Sequence, residues 1–312
     1  MKAVVYQKRS SYNVLELSEV EKPVPLDNEL LVKIIAVSIN AADYRSMRMG
    51  IIPKRKIFGA DIAGEVELTG KNVEKFKIGD EVFGDISGHG FGGFAEYVAV
   101  PENALVLKPA SVSFEDAAAG GMAAVTALQA LRDQGRIHAG QTVLIYGAGG
   151  GVGSFAVQLA RYYGAEVTAV CSSNNTELTR SIGAEHVIDY SKEDIFKRGS
   201  EFDLVLAVNG NHPISGYKRL LTRNGIFVLV GGALSQVIKS LLFGRIMSLG
   251  SQKMRVLSAK PSTGDLLYVS HLIEEGSIKP VIDRRYPLGQ TAEAMQYVSQ
   301  GHARGKVIIN VV

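Results

Sequence analysis

Three glycines at equal spacing lie between a predicted strand and a predicted helix, and together they could bind the phosphates of a dinucleotide. They are Gly147, Gly150 and Gly153, within the stretch TVLIYGAGGGVGSFAVQLARYYG at residues 142–164. The apolar VLIY run is typical of a buried strand, and the apolar positions after the glycines recur at helical spacing until Gly164. A helix N-terminus offers free backbone N–H groups to an anion, and glycines let a pyrophosphate approach the backbone. The predicted cofactor-binding residues here are Gly147, Gly150, Gly151, Val152 and Gly153.

The residues after the next predicted strand indicate which dinucleotide binds. Proteins that bind NAD place an acidic residue about 20 positions beyond the glycines, against the adenosine ribose. This chain has Ser172 there, within CSSNN, and so lacks at that point an acid that would repel a 2′-phosphate. The pattern favours NADPH over NADH, while the same small polar residues could also cap a helix. The candidate residues are Ser172, Ser173 and Asn174 at this turn, and Asn209 and Gly231 at the ends of two later predicted strands.

Two different patterns of predicted secondary structure position these residues. The first third of the chain is rich in predicted strands separated by turns. These strands are predicted at residues 1–6, 30–37, 64–68, 81–83 and 95–100. From residue 142 strands and helices alternate, which is typical of a parallel sheet covered by helices on both faces. Beyond about residue 260 the pattern predicts two helices and a strand at 306–312 that returns to the first domain's sheet. The chain is therefore predicted to be an α/β protein of two domains.

Composition narrows the class of protein and its location. The chain has 312 residues, 46% of them hydrophobic, and a net charge of +3, which is typical of a globular protein and gives little support to nucleic-acid binding. Its single cysteine, Cys171, excludes a disulfide framework and a four-cysteine structural zinc site. The N-terminus lacks an apolar signal-peptide region, and the sequence lacks an apolar run long enough to cross a membrane. We therefore expect a cytoplasmic protein with no membrane partner.

Seven local motifs share a resemblance to one family. They are GADIAGEV (59–66), KIGDEVFG (77–84), GGFAEYVAVP (92–101), AAAGGMAAVTALQAL (117–131), VLIYGAGGGVG (143–153), IGAEHVIDY (182–190) and HARGKVII (302–309). In this order, over nearly the whole chain, they resemble the medium-chain dehydrogenase/reductase superfamily and, within it, the zinc-free quinone oxidoreductase branch that includes zeta-crystallin. The resemblance implies a GroES-like β-rich catalytic domain at residues 1–122 and 259–312. It also implies a Rossmann domain, with a doubly wound parallel sheet, at residues 123–258.

The same resemblance implies that the chain binds no metal. Zinc alcohol dehydrogenases of the superfamily hold a catalytic zinc with Cys, His and Cys, and a Glu follows the His. Here those positions fall on Asn40, on Ala60–Asp61 and near Met122, which do not supply the three donors that Zn²⁺ requires. Without a Lewis acid, hydride transfer to a quinone or an α,β-unsaturated carbonyl is easier than alcohol oxidation, because the incoming charge spreads into a conjugated oxyanion.

Family positions place further residues at the site. Asn40 and Tyr44 are the expected catalytic residues. Asn40 would contact the nicotinamide ribose or the substrate oxygen, and Tyr44 would donate a proton or a hydrogen bond to the developing oxyanion. Tyr44 stands one position earlier than the tyrosine of close quinone reductases, so it could instead pack on the domain surface. Thr126 is expected beside the nicotinamide, and Tyr190 near the 2′-phosphate.

Charged residues near the site have more than one interpretation. Asp43 is expected to cap a helix that runs through Met47. His89, in the loop ISGHGFGG, could be an acid, or only a loop residue. Arg284–Arg285 and Arg304–Lys306 are expected to close the fold or to lie at the rim of the cofactor site.

The sequence therefore predicts a zinc-independent, NADPH-dependent oxidoreductase that transfers hydride to a small electrophile, either a quinone or an α,β-unsaturated carbonyl. The alternative is an NADPH-binding scaffold or sensor with little or no turnover, and an RNA-binding role has little support from the charge balance. A homodimer is expected, formed through an exposed edge strand at residues 225–232. The apolar, basic segment 235–251 could be a helix that covers this edge or a surface for a partner.

Overall fold

The computed structural model describes two compact units. The described residues are 1–8, 13–199, 201–210, 212–232 and 250–311, without the side chains of Lys8 and Asn13. Unit 1 comprises Met1–Val125, Pro261–Gly276 and Pro280–Val312, and unit 2 comprises Thr126–Lys260 and Ser277–Lys279. The segment 235–251 lies outside the described residues, except for Gly250 and Ser251.

Strands and helices follow one another along the described chain. The strands are β1 (Lys2–Lys8), β2 (Asn13–Glu19), β3 (Glu29–Ser38), β4 (Asp61–Thr69), β5 (Glu81–Asp85), β6 (Tyr97–Pro101), β7 (Val106–Leu107), β8 (Thr142–Tyr146), β9 (Glu166–Cys171), β10 (His186–Asp189), β11 (Phe202–Val208), β12 (Leu221–Val230), β13 (Lys253–Val256), β14 (Ile282–Pro287) and β15 (Lys306–Asn310). The helices are α1 (Ala41–Arg48), α2 (Phe114–Gly120), α3 (Met122–Leu128), α4 (Gly151–Tyr162), α5 (Thr176–Ser181), α6 (Ile214–Leu220), α7 (Thr263–Glu274) and α8 (Thr291–Ser299).

Unit 1 is built on a mixed sheet in which strands from both ends of the chain are neighbours. The strand order is β14-β15-β3-β4-β5-β7, and β6 also pairs with β3. Strand β15 pairs with β3 antiparallel and with β14 parallel, which confirms that the strand predicted at 306–312 returns to the first domain's sheet. The unit's core is formed by alternating apolar residues of these strands. They include Leu30, Val32, Ile34, Ile62, Val66, Val82, Val98, Val307 and Ile309.

Unit 2 contains a parallel sheet whose strands are buried on both faces. Within the described residues its order is β10-β9-β8-β11-β12-β13, with every pair parallel. The order reverses at β8, as in doubly wound Rossmann folds, and the ligand edge of such sheets lies beyond the carboxyl ends of the central strands. The strands are rich in β-branched and leucine residues because both faces are covered. The predicted α/β fold class, a GroES-like domain plus a Rossmann domain, is confirmed.

The strands differ from the prediction in three respects. The segment 225–232 is not an edge strand, because β13 pairs along it, with Ile226 opposite Lys253 and Leu229 opposite Val256. Strand β12 also begins earlier, at Leu221, which is opposite Phe202 of β11 across a register shift. Strand β2 was not predicted, although its NVLELSE sequence alternates apolar and polar residues, and it pairs with β1 as an antiparallel partner. Among the described residues, the helices are all too short or too polar to cross a bilayer.

Candidate functional site

The glycine turn between β8 and α4 is held by contacts that leave no room for side chains. Gly147 has φ +83°, and a Cβ there would lie 2.4 Å from the carbonyl oxygen of Val208. At Gly153 a Cβ would lie 2.1 Å from the carbonyl oxygen of Gly147, so the first turn of α4 packs directly on the glycine turn. These two glycines are required by the close approach of backbone to backbone. The turn therefore fixes the N-terminus of α4 at the carboxyl end of β8.

Gly150 has a different role, because the space beside it is open. It is the N-cap of α4, with extended backbone (φ −87°, ψ 179°), and among the described residues no side chain caps it. The nearest atom to a Cβ at this position would be the Gly147 oxygen, 3.8 Å away. The helix N-terminus is thus accessible, and Gly151 and Val152, its first two residues, are half-buried. An uncapped N-terminus with open space in front of it fits a phosphate group.

The turn that follows β9 carries the predicted ribose-end residues. Ser172 accepts a hydrogen bond from Asn175 Nδ2 (3.2 Å), and Ser173 and Asn174 are exposed. The Oδ1 atom of Asn175 is buried and has no partner among the described residues. The Tyr190 backbone N–H donates to Cys171 O (3.1 Å), and its side chain is 55% exposed. The structure therefore brings the predicted Ser172, Ser173 and Tyr190 to one edge of the sheet.

An aspartate that the sequence interpretation missed lies at this same edge. Asp189 is the last residue of β10, and its Oδ2 accepts a hydrogen bond from the Ser173 hydroxyl group at 2.5 Å. The Ser191 hydroxyl and backbone N–H donate to Oδ1 (2.7 and 3.0 Å), and Lys192 Nζ lies 3.5 Å from Oδ2. Hydrogen bonds from the two serines lower the pKa of Asp189 to about 2, so it is ionised at neutral pH. The Ser173 side chain already donates to a carboxylate, which leaves only its backbone N–H for a phosphate.

The remaining predicted cofactor residues lie at the ends of strands or inside a helix. Asn209 follows β11 in a left-handed conformation (φ +53°), and its side chain is exposed. Gly231 follows β12, also at positive φ (+66°). Both are at the carboxyl edge of the sheet, where the fold places ligands. Thr126 lies in α3 and is buried.

In unit 1, Asn40 lies in a buried polar cluster that leaves little of its amide for a ligand. Its Nδ2 donates to Asp61 Oδ2 (2.8 Å) and Ser38 O (3.2 Å), and its Oδ1 accepts from Lys306 Nζ at 2.6 Å. Lys306 Nζ is also 3.8 Å from Asp61 Oδ2, and both side chains are almost completely buried. We name Asn40, Asp61 and Lys306 the central cluster. Its hydrogen bonds join the segment after β3, the start of β4 and the start of β15.

Asp61, the carboxylate of the central cluster, accepts hydrogen bonds at both of its oxygens. Its Oδ1 accepts the Met122 backbone N–H at 2.8 Å, in addition to the bond from Asn40. This approach depends on Gly121, where a Cβ would lie 2.3 Å from Asp61 Oδ1. Burial raises the pKa of Asp61 to about 7, while the Lys306 ammonium opposes that rise. Burial in turn lowers the pKa of Lys306, against the attraction of the nearby carboxylates.

The prediction that Asp43 caps a helix is confirmed. Asp43 Oδ2 accepts the Asn40 backbone N–H (2.7 Å) at the start of α1, and Oδ1 accepts the Gly59 N–H (3.1 Å). The carboxyl group is fully buried, and burial raises its pKa to about 7. Tyr44, one residue on, is half-buried, and the guanidinium groups of Arg45 and Arg48 lie 5.8 and 5.2 Å from its ring centroid. Asp43 thus caps the N-terminus of α1 from a buried position, and Tyr44 stays partly accessible.

Of the positive charges expected to close the fold or to lie at the cofactor rim, Lys306 is in the interior of unit 1. Its buried bonds to Asn40 and Ile39 O (3.3 Å) tie β15 to the segment after β3, so it closes the fold and is not a rim charge. Arg285 pairs with Glu115 at 2.8 Å, and Arg284 lies over the Tyr297 ring at 4.0 Å. A lysine at the head of the apolar strand KVIIN was the available signal for burial.

The donors of the central cluster do not suit a zinc ion. Zn²⁺ needs three N, S or carboxylate ligands and an open position. Ala60 supplies no donor, the Asn40 amide is bonded to protein groups on both sides, and an ammonium group occupies the space beside Asp61. Over the described ranges, no group of three or more His, Cys, Asp or Glu side chains is arranged to hold a metal ion. The glycine turn and its uncapped helix, in contrast, fit the phosphates of a dinucleotide.

Comparison with known proteins finds two family matches along the chain. The family described as "Alcohol dehydrogenase GroES-like domain" matches residues 26–110, and the family described as "Zinc-binding dehydrogenase" matches residues 182–309. The first match lies in unit 1, and the second extends from unit 2 into unit 1. Residues 111–181, which include β8, the glycine turn and α4, lie between the two matches.

Similar proteins of known name match over almost the whole chain. The chloroplast envelope quinone oxidoreductase homolog of Arabidopsis thaliana is 33% identical over an alignment of 313 positions, gaps included, that covers 95% of this chain and 93% of that protein. The NADPH-dependent alkenal/one oxidoreductase of the same plant is 33% identical and covers 99% of this chain and 79% of its own length. The solved structure of the quinone oxidoreductase from Coxiella burnetii superposes with a TM-score of 0.87 at 27% identity, over 100% of this chain and 98% of that one. The chain therefore belongs to the medium-chain dehydrogenase/reductase family of oxidoreductases, in its quinone oxidoreductase branch.

Proposed function

We propose that this protein is a zinc-independent, NADPH-dependent oxidoreductase that transfers hydride to quinones or α,β-unsaturated carbonyls. The observation that carries the proposal is the buried ammonium of Lys306, 2.6 Å from Asn40 Oδ1, where zinc-dependent relatives would need a metal-ligand set. Because Lys306 closes the fold where a Lewis-acid metal would lie, the charge of the transferred hydride is best taken by an acceptor that delocalises it over a conjugated system. The relatives named for quinone and alkenal/one reduction support the same class of acceptor.

The cofactor is proposed to be NADPH, which supplies the hydride when bound. The N-terminus of α4, with Gly150, Gly151, Val152 and Gly153, would hold the pyrophosphate, and Ser172 and Tyr190 would lie at the ribose end. The absence of an acid among Ser172, Ser173 and Asn174 supports a 2′-phosphate there. Asp189 opposes it, but Lys192 and the bonds from Ser173 and Ser191 partly offset that charge. One relative is named as NADPH-dependent.

The catalytic residues are proposed to act from unit 1. Asn40 orients the Lys306 ammonium through its Oδ1 and is held in place by Asp61, so its role is to position charge more than to touch the substrate. Tyr44 is proposed as a hydrogen-bond donor to the acceptor oxygen. Thr126, Asn209 and Gly231 are proposed to contact the nicotinamide half of the cofactor, mostly through backbone groups.

The test is NADPH oxidation by the purified, chelator-treated protein. Benzoquinone, phenanthrenequinone and a 2-alkenal are offered in parallel, with a simple alcohol plus NADP⁺ as the control reaction. We expect rapid oxidation with at least one conjugated acceptor, unchanged by added zinc. Turnover that appears only with zinc, or only with the alcohol, would contradict the proposal. NADPH binding, seen as a raised melting temperature, with no oxidation by any acceptor would favour the scaffold or sensor alternative.

From the sequence we also propose that the protein is cytoplasmic and forms a homodimer. The oligomeric state can be measured directly. Among the described residues β13 ends the parallel sheet, and an end strand has backbone groups that a second copy could pair with. Light scattering coupled to size-exclusion chromatography would return twice the chain mass of 33.5 kDa if the proposal holds. A single-chain mass at micromolar concentration would contradict it.

A further inference from the structure

A cavity of about 360 Å³ lies within unit 1, between the end of β5 and the start of α7. Polar residues line it from both sides: Asp85 at the end of β5, His89 in the loop that follows, Asn103, and Ser262 and Thr263 at the N-terminus of α7. Val125 and Leu266 supply apolar wall. The volume is in the range of sites for small ligands, which are mostly apolar with a few placed polar groups.

Asp85 is paired with a second aspartate across the sheet. In the antiparallel register of β4 and β5, Asp61 is directly opposite Asp85. Opposite residues of such a pair project from the same face, with Cβ atoms about 5 Å apart. Asp61 is fully buried and Asp85 is half-buried at the cavity wall. Two carboxylates so close in a buried place resist being ionised together, so the pair retains a proton.

The groups that face this pair decide which oxygen carries the proton. Asp61 accepts N–H bonds at both oxygens, from Met122 and Asn40, and Lys306 of β15 lies 3.8 Å from it. All three favour an ionised Asp61. Burial raises the pKa of Asp85, while the Ser87 hydroxyl and N–H (2.9 Å from Oδ1), the Lys306 ammonium and His89 lower it, and Asp43 of α1 adds a further negative charge near Lys306. Both oxygens of Asp61 accept N–H bonds, whereas the Ser87 N–H reaches only Oδ1 of Asp85, so the geometry favours the second oxygen of Asp85 for the proton.

We propose that the acceptor binds with its oxygen in this cavity, and that Asp85 is the acid that donates the proton to that oxygen. This rests on the proposed function, which supplies the acceptor and the hydride. A quinone or enone that has gained a hydride carries its negative charge on oxygen. The O–H bond of Asp85 breaks, an O–H bond forms on the acceptor, and the electron pair stays on the carboxylate. Solvent at the open side of the cavity, where His89 is exposed, returns the proton.

The decisive variant is Asp85→Asn, which keeps the shape and the acceptor for the Ser87 N–H but has no acidic proton. With the 2-alkenal we expect kcat to fall by roughly 100- to 1000-fold, as for loss of a general acid. The KM for NADPH should stay unchanged. In wild type kcat/KM should fall as pH rises through the deprotonation of the pair, and Asp85→Asn should lack that limb. Asp85→Glu should retain part of the rate and the limb.

The matched control is Asp80→Asn. Asp80 also accepts one backbone N–H, from Lys77 at 3.0 Å, but it lies just before β5, at the opposite end of that strand from Asp85, and it does not line the cavity. This variant should keep the wild-type kcat and pH profile. Thermal melts of all the variants show whether any loss of rate follows from loss of folding.

A second measurement needs no cofactor and no turnover. Infrared difference spectra of the protein alone, recorded as the pH is raised, should show the C=O band of a protonated carboxyl disappearing in wild type. Asp43 and Asp61 are present in every variant and contribute bands of their own. The wild type and Asp80→Asn should therefore show one protonated-carboxyl band more than Asp85→Asn. The complete wild-type set of bands in Asp85→Asn overturns the assignment of the proton.

The failure of this inference can be told apart from the failure of the proposed function. If none of the offered acceptors supports NADPH oxidation by the wild-type protein, the proposed function is overturned and, with it, the catalytic role of Asp85. An active wild type with Asp85→Asn equally fast at every pH overturns the inference alone. Loss of the pH limb in Tyr44→Phe instead of Asp85→Asn would assign the proton to Tyr44 and would also overturn it.

Discussion

Two alanine substitutions in the glycine turn should separate folding from cofactor binding. At Gly153 a Cβ would lie 2.1 Å from the Gly147 oxygen and 2.8 Å from Ala148 backbone atoms. An ordinary contact needs about 3.4 Å, so Gly153→Ala forces α4 to move by about 1 Å from the turn on which it packs. Overpacking of this kind costs about 2–3 kcal/mol. We expect the unfolding transition of unit 2 to fall by about 5–10 °C.

At Gly150 the same methyl group meets only open space in the protein, with its nearest atom 3.8 Å away. Its φ of −87° is ordinary for alanine, so Gly150→Ala should cost less than about 1 kcal/mol of stability. The methyl group would nevertheless stand where the pyrophosphate approaches the α4 N-terminus. Loss of one hydrogen bond to a charged group, about 1.5–3 kcal/mol, weakens NADPH binding by roughly 10- to 100-fold.

The assays are thermal and urea denaturation for stability and NADPH titration by fluorescence for affinity, on both variants and wild type. Gly153→Ala should lose both stability and affinity, and Gly150→Ala should lose affinity alone. Wild-type NADPH affinity in Gly150→Ala would refute the placement of the pyrophosphate at this helix. Wild-type stability in Gly153→Ala would show that α4 does not pack on the turn as described.

Two further predictions concern charges. Lys306→Met should cost about 3–5 kcal/mol at pH 8, because it leaves Asp61 buried without its cation. Since burial already raises the pKa of Asp61 to about 7, the folded variant gains stability when that group binds a proton. The loss of unfolding free energy in Lys306→Met relative to wild type, measured by denaturation, should therefore be smaller at pH 6 than at pH 8. An equal loss at both pH values would contradict this reasoning. Asp189→Asn should raise the ratio of NADPH to NADH affinity by roughly fivefold, because it removes a carboxylate from the ribose end. An unchanged ratio would place the 2′-phosphate away from Asp189.

The sequence predicts the fold well where a pattern is local. The strand, glycine cluster and helix at residues 142–164 are recognisable because apolar periodicity, turn residues and helix stop all lie within one short stretch. Pairing between distant strands is less accessible. Nothing local to Gly225 shows that β13, beyond residues 233–249, would pair along β12 and remove its exposed edge. The early start of β12 at Leu221 likewise depends on its pairing with Phe202.

The sequence names candidate site residues by their position in the motifs, but it does not show which hydrogen bonds they make. Asn40 was expected to contact a ligand, yet its amide is bonded to Asp61, Ser38 and Lys306, because residues far apart in sequence meet at the sheet. Asp189 is the last residue of its strand, and the direction of its side chain cannot be predicted from the VIDY sequence alone. Asp85 looks like an ordinary polar strand end until the register places it opposite Asp61. In each case the chemistry depends on a partner that only the fold supplies.

The position of β15 between β3 and β14 has a consequence for how the protein is made. Strand β3 leaves the ribosome early, but its neighbour β15 is synthesised only after all of residues 126–260. Unit 2, nearly continuous in sequence, can complete its sheet during translation, since domains generally fold as units in the order of synthesis. The β3–β4 region must meanwhile wait with one edge unpaired and with Asn40 and Asp61 lacking their ammonium. A nascent chain that stalls before residue 306 would thus expose a strand edge to chaperones and to other nascent chains.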